Sequence, residues 1–160
     1  MKILGIDPSL TATGWGLIEV DGPRLVHIDH GVIRTKSTQD IQDRLFAIRI
    51  GVSQEMGRLS MADLVVVEET PFVGGGQASA GALNRAQGAV LSAIPQYAGN
   101  LRMFGPPTWR KLVGIANKQE KAELKAAAIH RASILLGMDE PPTSHDAAEA
   151  LCIAIAGSVG

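Results

Sequence analysis

Apolar positions along the chain follow two rhythms, and the changes between them divide it into elements. Residues 2–7, Lys-Ile-Leu-Gly-Ile-Asp, are an apolar run closed by an acid, and residues 14–20 continue as a second strand after a Pro/Ser/Thr turn. Asp21-Gly22-Pro23 is a turn signal, so residues 24–34 are predicted to return as a third strand and complete an antiparallel meander. The rhythm then changes. Ile41, Leu45, Ile48, Val52, Met56 and Leu59 recur every three or four residues, one apolar face of a helix over 39–59. Asp63-Leu64-Val65-Val66-Val67-Glu68 is β-branched without alternation, as expected of a central strand covered on both faces.

Beyond the run Gly74-Gly75-Gly76, the Ala-rich residues 77–94 are predicted helical up to Pro95, with a further strand near Leu101–Phe104. Residues 118–136 have the pattern of a basic amphipathic helix closed by Gly137. Ser144 to Ile155 form a final helix after Pro141-Pro142. Three strands followed by alternating helices and strands imply an α/β fold, a mixed five-stranded sheet flanked by helices. A length of 160 residues suits one domain spanning 1–160.

Composition narrows the class. The one cysteine, Cys152, has no partner for an intramolecular disulfide, and its apolar surroundings Ala150-Leu151-Cys152-Ile153-Ala154-Ile155 predict a buried thiol. The N-terminus lacks a basic region followed by a long apolar stretch, and no run reaches about 18 apolar residues, so a soluble, cytoplasmic protein without a membrane partner is expected. The net charge of −1 is unusual for a nucleic-acid binder, but its distribution is uneven. From Arg102 to Arg131 seven basic residues face two acids, Glu120 and Glu123, leaving −6 on the rest of the chain. Acids gathered in a metal site would have much of that charge cancelled by bound divalent ions.

The candidate chemistry lies in those acids. An Asp ending a buried strand is costly unless it is hydrogen-bonded, paired or bound to a metal. Asp7 ends one such strand and Glu68 another, and the crevice at the carboxyl ends of neighbouring strands is where open α/β sheets place ligands. Glu69 competes with Glu68, but strand alternation would aim it to the opposite side. On the final helix Asp146 and Glu149 are three apart and share a face, while Ala147, Ala150, Leu151 and Ala154 are free to pack inward. Oxygen donors of this kind suit Mg²⁺, with Mn²⁺ as a substitute, and the lack of a Cys or clustered-His set argues against structural zinc. The matching chemistry is phosphodiester hydrolysis. Two ions per site would serve the attacking water and the departing 3′-oxygen.

Ile3-Leu4-Gly5-Ile6-Asp7-Pro8-Ser9 with Thr13-Gly14-Trp15-Gly16 resembles the N-terminal signature of the RuvC-like Holliday junction resolvases. Actin-like ATPases and sugar kinases share the Gly-Ile-Asp opening. Later segments separate them: Val67-Glu68-Glu69-Thr70-Pro71-Phe72, Ala82-Leu83-Asn84-Arg85-Ala86-Gln87-Gly88, Val113-Gly114 with Asn117 to Lys121, and His145-Asp146-Ala147-Ala148-Glu149-Ala150-Leu151 follow the resolvase order. The resemblance implies a ribonuclease-H-like fold and a homodimer that nicks two strands of a four-way DNA junction symmetrically with Mg²⁺, with a branch-migration motor as a possible partner. It makes Asp7 the first catalytic and metal-binding acid, Glu68 the second, and Asp146 and Glu149 the closing pair. It matches Lys121 to a family lysine near the scissile phosphate. Two departures stand out: Glu149 replaces the usual Asp, reaching one methylene further, and Pro71 lengthens the segment between Glu68 and Phe72.

DNA contacts are expected from Lys118 and Lys121, one turn apart at the start of the basic helix, with Arg85, Arg110 and Lys111 as further phosphate contacts. Gln87 is a weaker candidate. Phe72 would stack on an unpaired base. His145, beside Asp146, is read as a polar or capping residue with metal ligation left open. Two rival functions remain: an actin-like ATPase or sugar-kinase relative, disfavoured by a single copy of the fold, and a protein of the same fold that serves another branched DNA or RNA, as a nuclease or as a binding module without catalysis.

Overall fold

The computed structural model describes residues 1–58, 62–70, 77–95 and 100–160. In chain order the elements are β1 (Lys2–Asp7), β2 (Ala12–Asp21), β3 (Arg24–Arg34), α1 (Ile41–Arg58), β4 (Leu64–Glu68), α2 (Gln77–Ala93), β5 (Asn100–Phe104), α3 (Pro106–Val113), α4 (Lys121–Leu136) and α5 (His145–Val159). The strands form one sheet in the order β3-β2-β1-β4-β5. The first three pair antiparallel as the expected meander, and β4 and β5 join parallel to β1.

Strand alternation sorts the core into two layers. Leu4 and Ile6 of β1, Trp15 and Leu17 of β2, and Val65 and Val67 of β4 face α1 and α2, meeting Ile48, Val52, Met56, Ala86 and Val90. Ile3, Ile18, Leu64 and Val66 face the opposite way, onto α3, α4 and α5. The same parity carries Asp7 and Glu68 to the α5 side, because side chains two apart on a strand share a face. The chain direction completes the arrangement: β1 and β4 are parallel neighbours with Ile6 opposite Val67, so both acids stand at the same end of the sheet.

Helix α5 is apolar nearly all round, with every residue from Ala150 to Gly157 buried. It lies unusually close to the sheet because three glycines sit beneath it. A Cβ on Gly5 would come within 2.1 Å of the Ala150 carbonyl oxygen, and one on Gly14 within 2.0 Å of the Asp146 carbonyl oxygen. A Cβ on Gly16 would overlap the Leu151 side chain at 2.7 Å. Gly5 pairs with Gly16, and Asp7 with Gly14, so the bare strip runs up to the carboxyl end of β1. Cys152 is fully buried in this layer as expected, and burial pushes its thiol up to about 12.

Two elements depart from the sequence reading. Helix α3 was not expected. Pro106 and Pro107 preset its first turn and Gly114, in the left-handed region at φ 78°, closes it; its eight residues are too few for a strong periodic signal. The basic helix begins at Lys121, not residue 118. Glu120 is its N-cap, and the Glu123 side chain accepts the Glu120 backbone N–H at 3.1 Å, so the chain turns into helix only there. Lys118 therefore lies in the preceding bend and is not one helical turn from Lys121. Among the described residues no helix is long and apolar enough to cross a membrane.

Candidate active site

At the carboxyl end of β1 and β4 lies a cleft of about 350 Å³. Its lining comprises Asp7, Pro8, Ser9, Glu68, Leu83, Arg110, Lys121, Leu124, Lys125, His145, Asp146 and Glu149. Each acid is delivered by a different local device. Asp7 is the last residue of β1, and the turn after it is fastened by Thr13, a fully buried residue whose hydroxyl donates to the Ser9 carbonyl at 2.7 Å and accepts the Ser9 N–H at 3.2 Å. Glu68 ends β4, and the next amide, Glu69 N–H, donates to the Phe104 carbonyl of β5 at 2.9 Å. Asp146 and Glu149, three residues apart near the start of α5, share one face of that helix. The Ser144 hydroxyl donates to Asp146 Oδ2 at 3.2 Å, and His145 Nε2 lies 3.3 Å from Asp146 Oδ1.

Carboxylate oxygens of Asp7, Asp146 and Glu149 all lie within 4.8 Å of one another. Glu68 stands beside this trio, close enough to act on Asp7 and Glu149 electrostatically. The Trp109 indole N–H donates to Glu68 Oε2 at 2.6 Å.

The electrostatics show how unfavourable the cluster is by itself. Burial, then repulsion from Glu68, Glu149 and Asp146, raises Asp7 well above the usual carboxylate range, against the pull of Arg110. Burial raises Glu68, opposed by the Trp109 hydrogen bond and by Arg110. Glu149 is pushed up to about 7 by burial and by Glu68, with Asp146 adding to the rise and Arg110 and Lys125 opposing it. Carboxylates driven toward protonation by burial and mutual repulsion are groups that a multivalent cation would stabilise in their charged form. The donor set fits a hard divalent ion: oxygen donors only, mutually close, at a cleft mouth that admits water.

Several basic residues join the acids. Arg110, Lys121 and Lys125 line the cleft, and of these Lys125 is an addition to the expected set. The others are elsewhere. Lys111 is exposed on α3 outside the lining, and Lys118 is exposed in the bend before α4. Arg85 is exposed on α2 and lines a separate groove with Leu45, Phe46 and Arg49 of α1. Gln87 is turned to the backbone, its Oε1 accepting the Thr70 N–H at 3.4 Å. Glu69 is exposed and does not line the cleft. Phe72, Pro71 and Gly74 to Gly76 lie outside the described residues. Trp109 went unforeseen because α3 did; the Gly105-Pro106-Pro107 start signal, with Trp109 and Val113 four apart, is the pattern that marks it.

A family model described as crossover junction endodeoxyribonuclease RuvC matches residues 3–157. The chain is similar to the crossover junction endodeoxyribonuclease RuvC of Azorhizobium caulinodans, with 33% identity over 97% of this chain and 88% of the relative. It is 34% identical to that of Rhodopseudomonas palustris over 97% of this chain and 85% of the relative. In structure it is similar to Thermus thermophilus RuvC in complex with Holliday junction substrate, with a TM-score of 0.83 and 24% identity over 99% of this chain and 94% of that one.

Proposed function

This chain belongs to the RuvC family of crossover junction endodeoxyribonucleases, and from that premise we propose that it resolves four-way DNA junctions by metal-dependent hydrolysis of two phosphodiester bonds. The observation that carries the reading is the trio of Asp7, Asp146 and Glu149 within 4.8 Å, with Glu68 beside it, in a cleft whose wall carries Arg110, Lys121 and Lys125. Negative donors for cations and positive donors for a phosphate backbone share one cleft of the size of a nucleotide. The actin-like ATPase and sugar-kinase reading of Gly5-Ile6-Asp7 gives way to the family match over 3–157.

In this reading the four acids are the metal ligands, with Mg²⁺ the expected ion, Mn²⁺ its substitute, and two ions the expected count. When bound there, such ions lower the pKa of water and neutralise charge developing on the phosphate. The chain's own residues do the rest. Arg110 and Lys125 offset the repulsion of the acids and hold the scissile phosphate, and Lys121, at the first position of α4, reaches the same phosphate or its neighbour. His145 stays beside Asp146 and orients it rather than taking a place in the trio. A second copy related by a two-fold axis supplies the second nick, since paired cuts on a two-fold substrate need two sites.

Asp7→Asn and Glu68→Gln each remove a ligand charge at nearly constant volume. Both are expected to abolish cleavage of a synthetic four-way junction while binding to it is kept. Glu69→Gln is the control and should cleave normally. The assay sets the junction beside linear duplex, RNA hybrid and ATP, with Mg²⁺ and with chelator. Cleavage above about one-tenth of wild type in either acid variant would contradict the assignment, and preferential cutting of the hybrid would move the substrate to RNA.

A further inference from the structure

Trp109 is placed by the core, not by the cleft. Its ring is 1% exposed within the layer shared by α3, α4 and α5, and the Arg110 guanidinium lies 5.1 Å from the ring centroid. The helix that carries it starts two residues after β5, whose Phe104 is paired with Glu68 itself. The indole, on the helix that follows β5, and the acid, at the end of β4, are thus fixed to one frame by two neighbouring strands. Among the described residues, no other hydrogen bond reaches the Glu68 carboxylate.

The kind of donor matters. An indole offers one N–H, no acceptor and no charge, so it engages Oε2 and leaves the negative charge of Glu68 intact for a cation. Oε1 is the oxygen left over. Mg²⁺ takes single oxygens in a tight octahedron, whereas Ca²⁺ takes six to eight and often draws both oxygens of one carboxylate.

We propose that Trp109 is a positioning residue that makes Glu68 a one-oxygen ligand, and so sets the preference of the site for Mg²⁺ and Mn²⁺ over Ca²⁺. The inference rests on the ligand role given to Glu68 above. The Trp109 N–H occupies one of the two acceptor positions of Oε2, so Ca²⁺ bound through both oxygens competes with that hydrogen bond for Oε2. Binding Mg²⁺ through Oε1 leaves that bond in place.

The test is calorimetric titration of the DNA-free protein with Mg²⁺ and, separately, with Ca²⁺. Trp109→Phe keeps an aromatic ring and removes the donor, and affinity for Ca²⁺ relative to Mg²⁺ is expected to rise about tenfold, the worth of one charge-assisted hydrogen bond. Because Phe leaves a void that can unsettle the core, the same titration is run on Trp109→3-benzothienylalanine, where sulfur replaces the N–H in a ring of nearly equal size. The same shift is expected, and Ca²⁺ should then inhibit Mg²⁺-supported junction cleavage at about one-tenth of the wild-type concentration. A Ca²⁺/Mg²⁺ ratio unchanged in the benzothienyl protein, with Glu68→Gln still weakening both metals, overturns the role of Trp109 alone. Metal binding unchanged in Glu68→Gln overturns the ligand role beneath it.

Discussion

Burial, with Glu68 and then Asp146 beside it, pushes the Glu149 carboxyl up to about 7 from an ordinary 4.5. The sign of the consequence follows from linkage. Between about pH 4.5 and 7 the unfolded chain has lost this proton while the folded chain keeps it, so raising pH favours the unfolded state. Metal-free protein in chelator is therefore expected to be most stable at the acid end of this window and to lose up to about 3 kcal/mol on going to pH 7 and above. Mg²⁺ should reverse the loss above pH 7 and act weakly near pH 5, where Glu149 keeps its proton. Urea midpoints at pH 5 and pH 7.5, with and without Mg²⁺, check both halves. A midpoint that rises with pH in chelator would mean that the acids do not repel one another as the geometry requires.

Among the elements, α5 does most to build the site, and it depends on residues that carry no chemistry. The Gly5, Gly14 and Gly16 strip lets its backbone rest on β1 and β2, and that contact is what sets Asp146 and Glu149 against Asp7. Gly14→Ala is expected to force the start of α5 outward, since a Cβ 2.0 Å from the Asp146 carbonyl oxygen cannot be accommodated by a side-chain rotation. The cost should be about 3 kcal/mol or more, at the upper end for overpacking, and Mg²⁺ affinity should fall with it. Gly57→Ala, in α1 with open space around it, is the control and should be neutral or slightly stabilising. Equal destabilisation by the two substitutions, measured by denaturant titration, would dissociate helix seating from the glycine strip.

At the scale of the whole molecule, the chain is slightly acidic yet has a basic sector, and junction binding should be strongly salt-dependent through counterion release. If Lys118 and Lys121 both reach phosphates, the double change to Ala flattens the slope of log affinity against log salt by about 2. A flattening by about 1 would match the structure, which lines the cleft with Lys121 and leaves Lys118 outside. A homodimer is expected as well. The groove between Leu45, Phe46 and Arg49 of α1 and Arg85, Gly88 and Ala89 of α2, with Phe46 62% exposed, is an apolar face that a second copy would cover. Sedimentation of a monomer alone at micromolar concentration, with and without junction DNA, would defeat the paired-nick reading.

How much of this was legible in the chain itself follows from the range of each interaction. Strand and helix periodicity is a local property, so the five strands, the four longer helices and the burial of Cys152 were readable from residue spacing, as was the parity that puts Glu68 and not Glu69 on the side of Asp7. The start of α4 at Lys121 was misjudged by three residues, because a basic, polar approach to a helix has no apolar rhythm and the Glu120–Glu123 cap decides the boundary. Short α3 was missed because its eight residues hold too little apolar rhythm, and Trp109 with it. What no spacing reveals is the seating of α5 on bare glycine backbone, the 2.6 Å bond from Trp109 across 41 residues to Glu68, and the entry of Lys125 into the cleft in place of Lys118. These are contacts between elements distant in sequence, fixed only when the sheet registers its strands and the helices close on them.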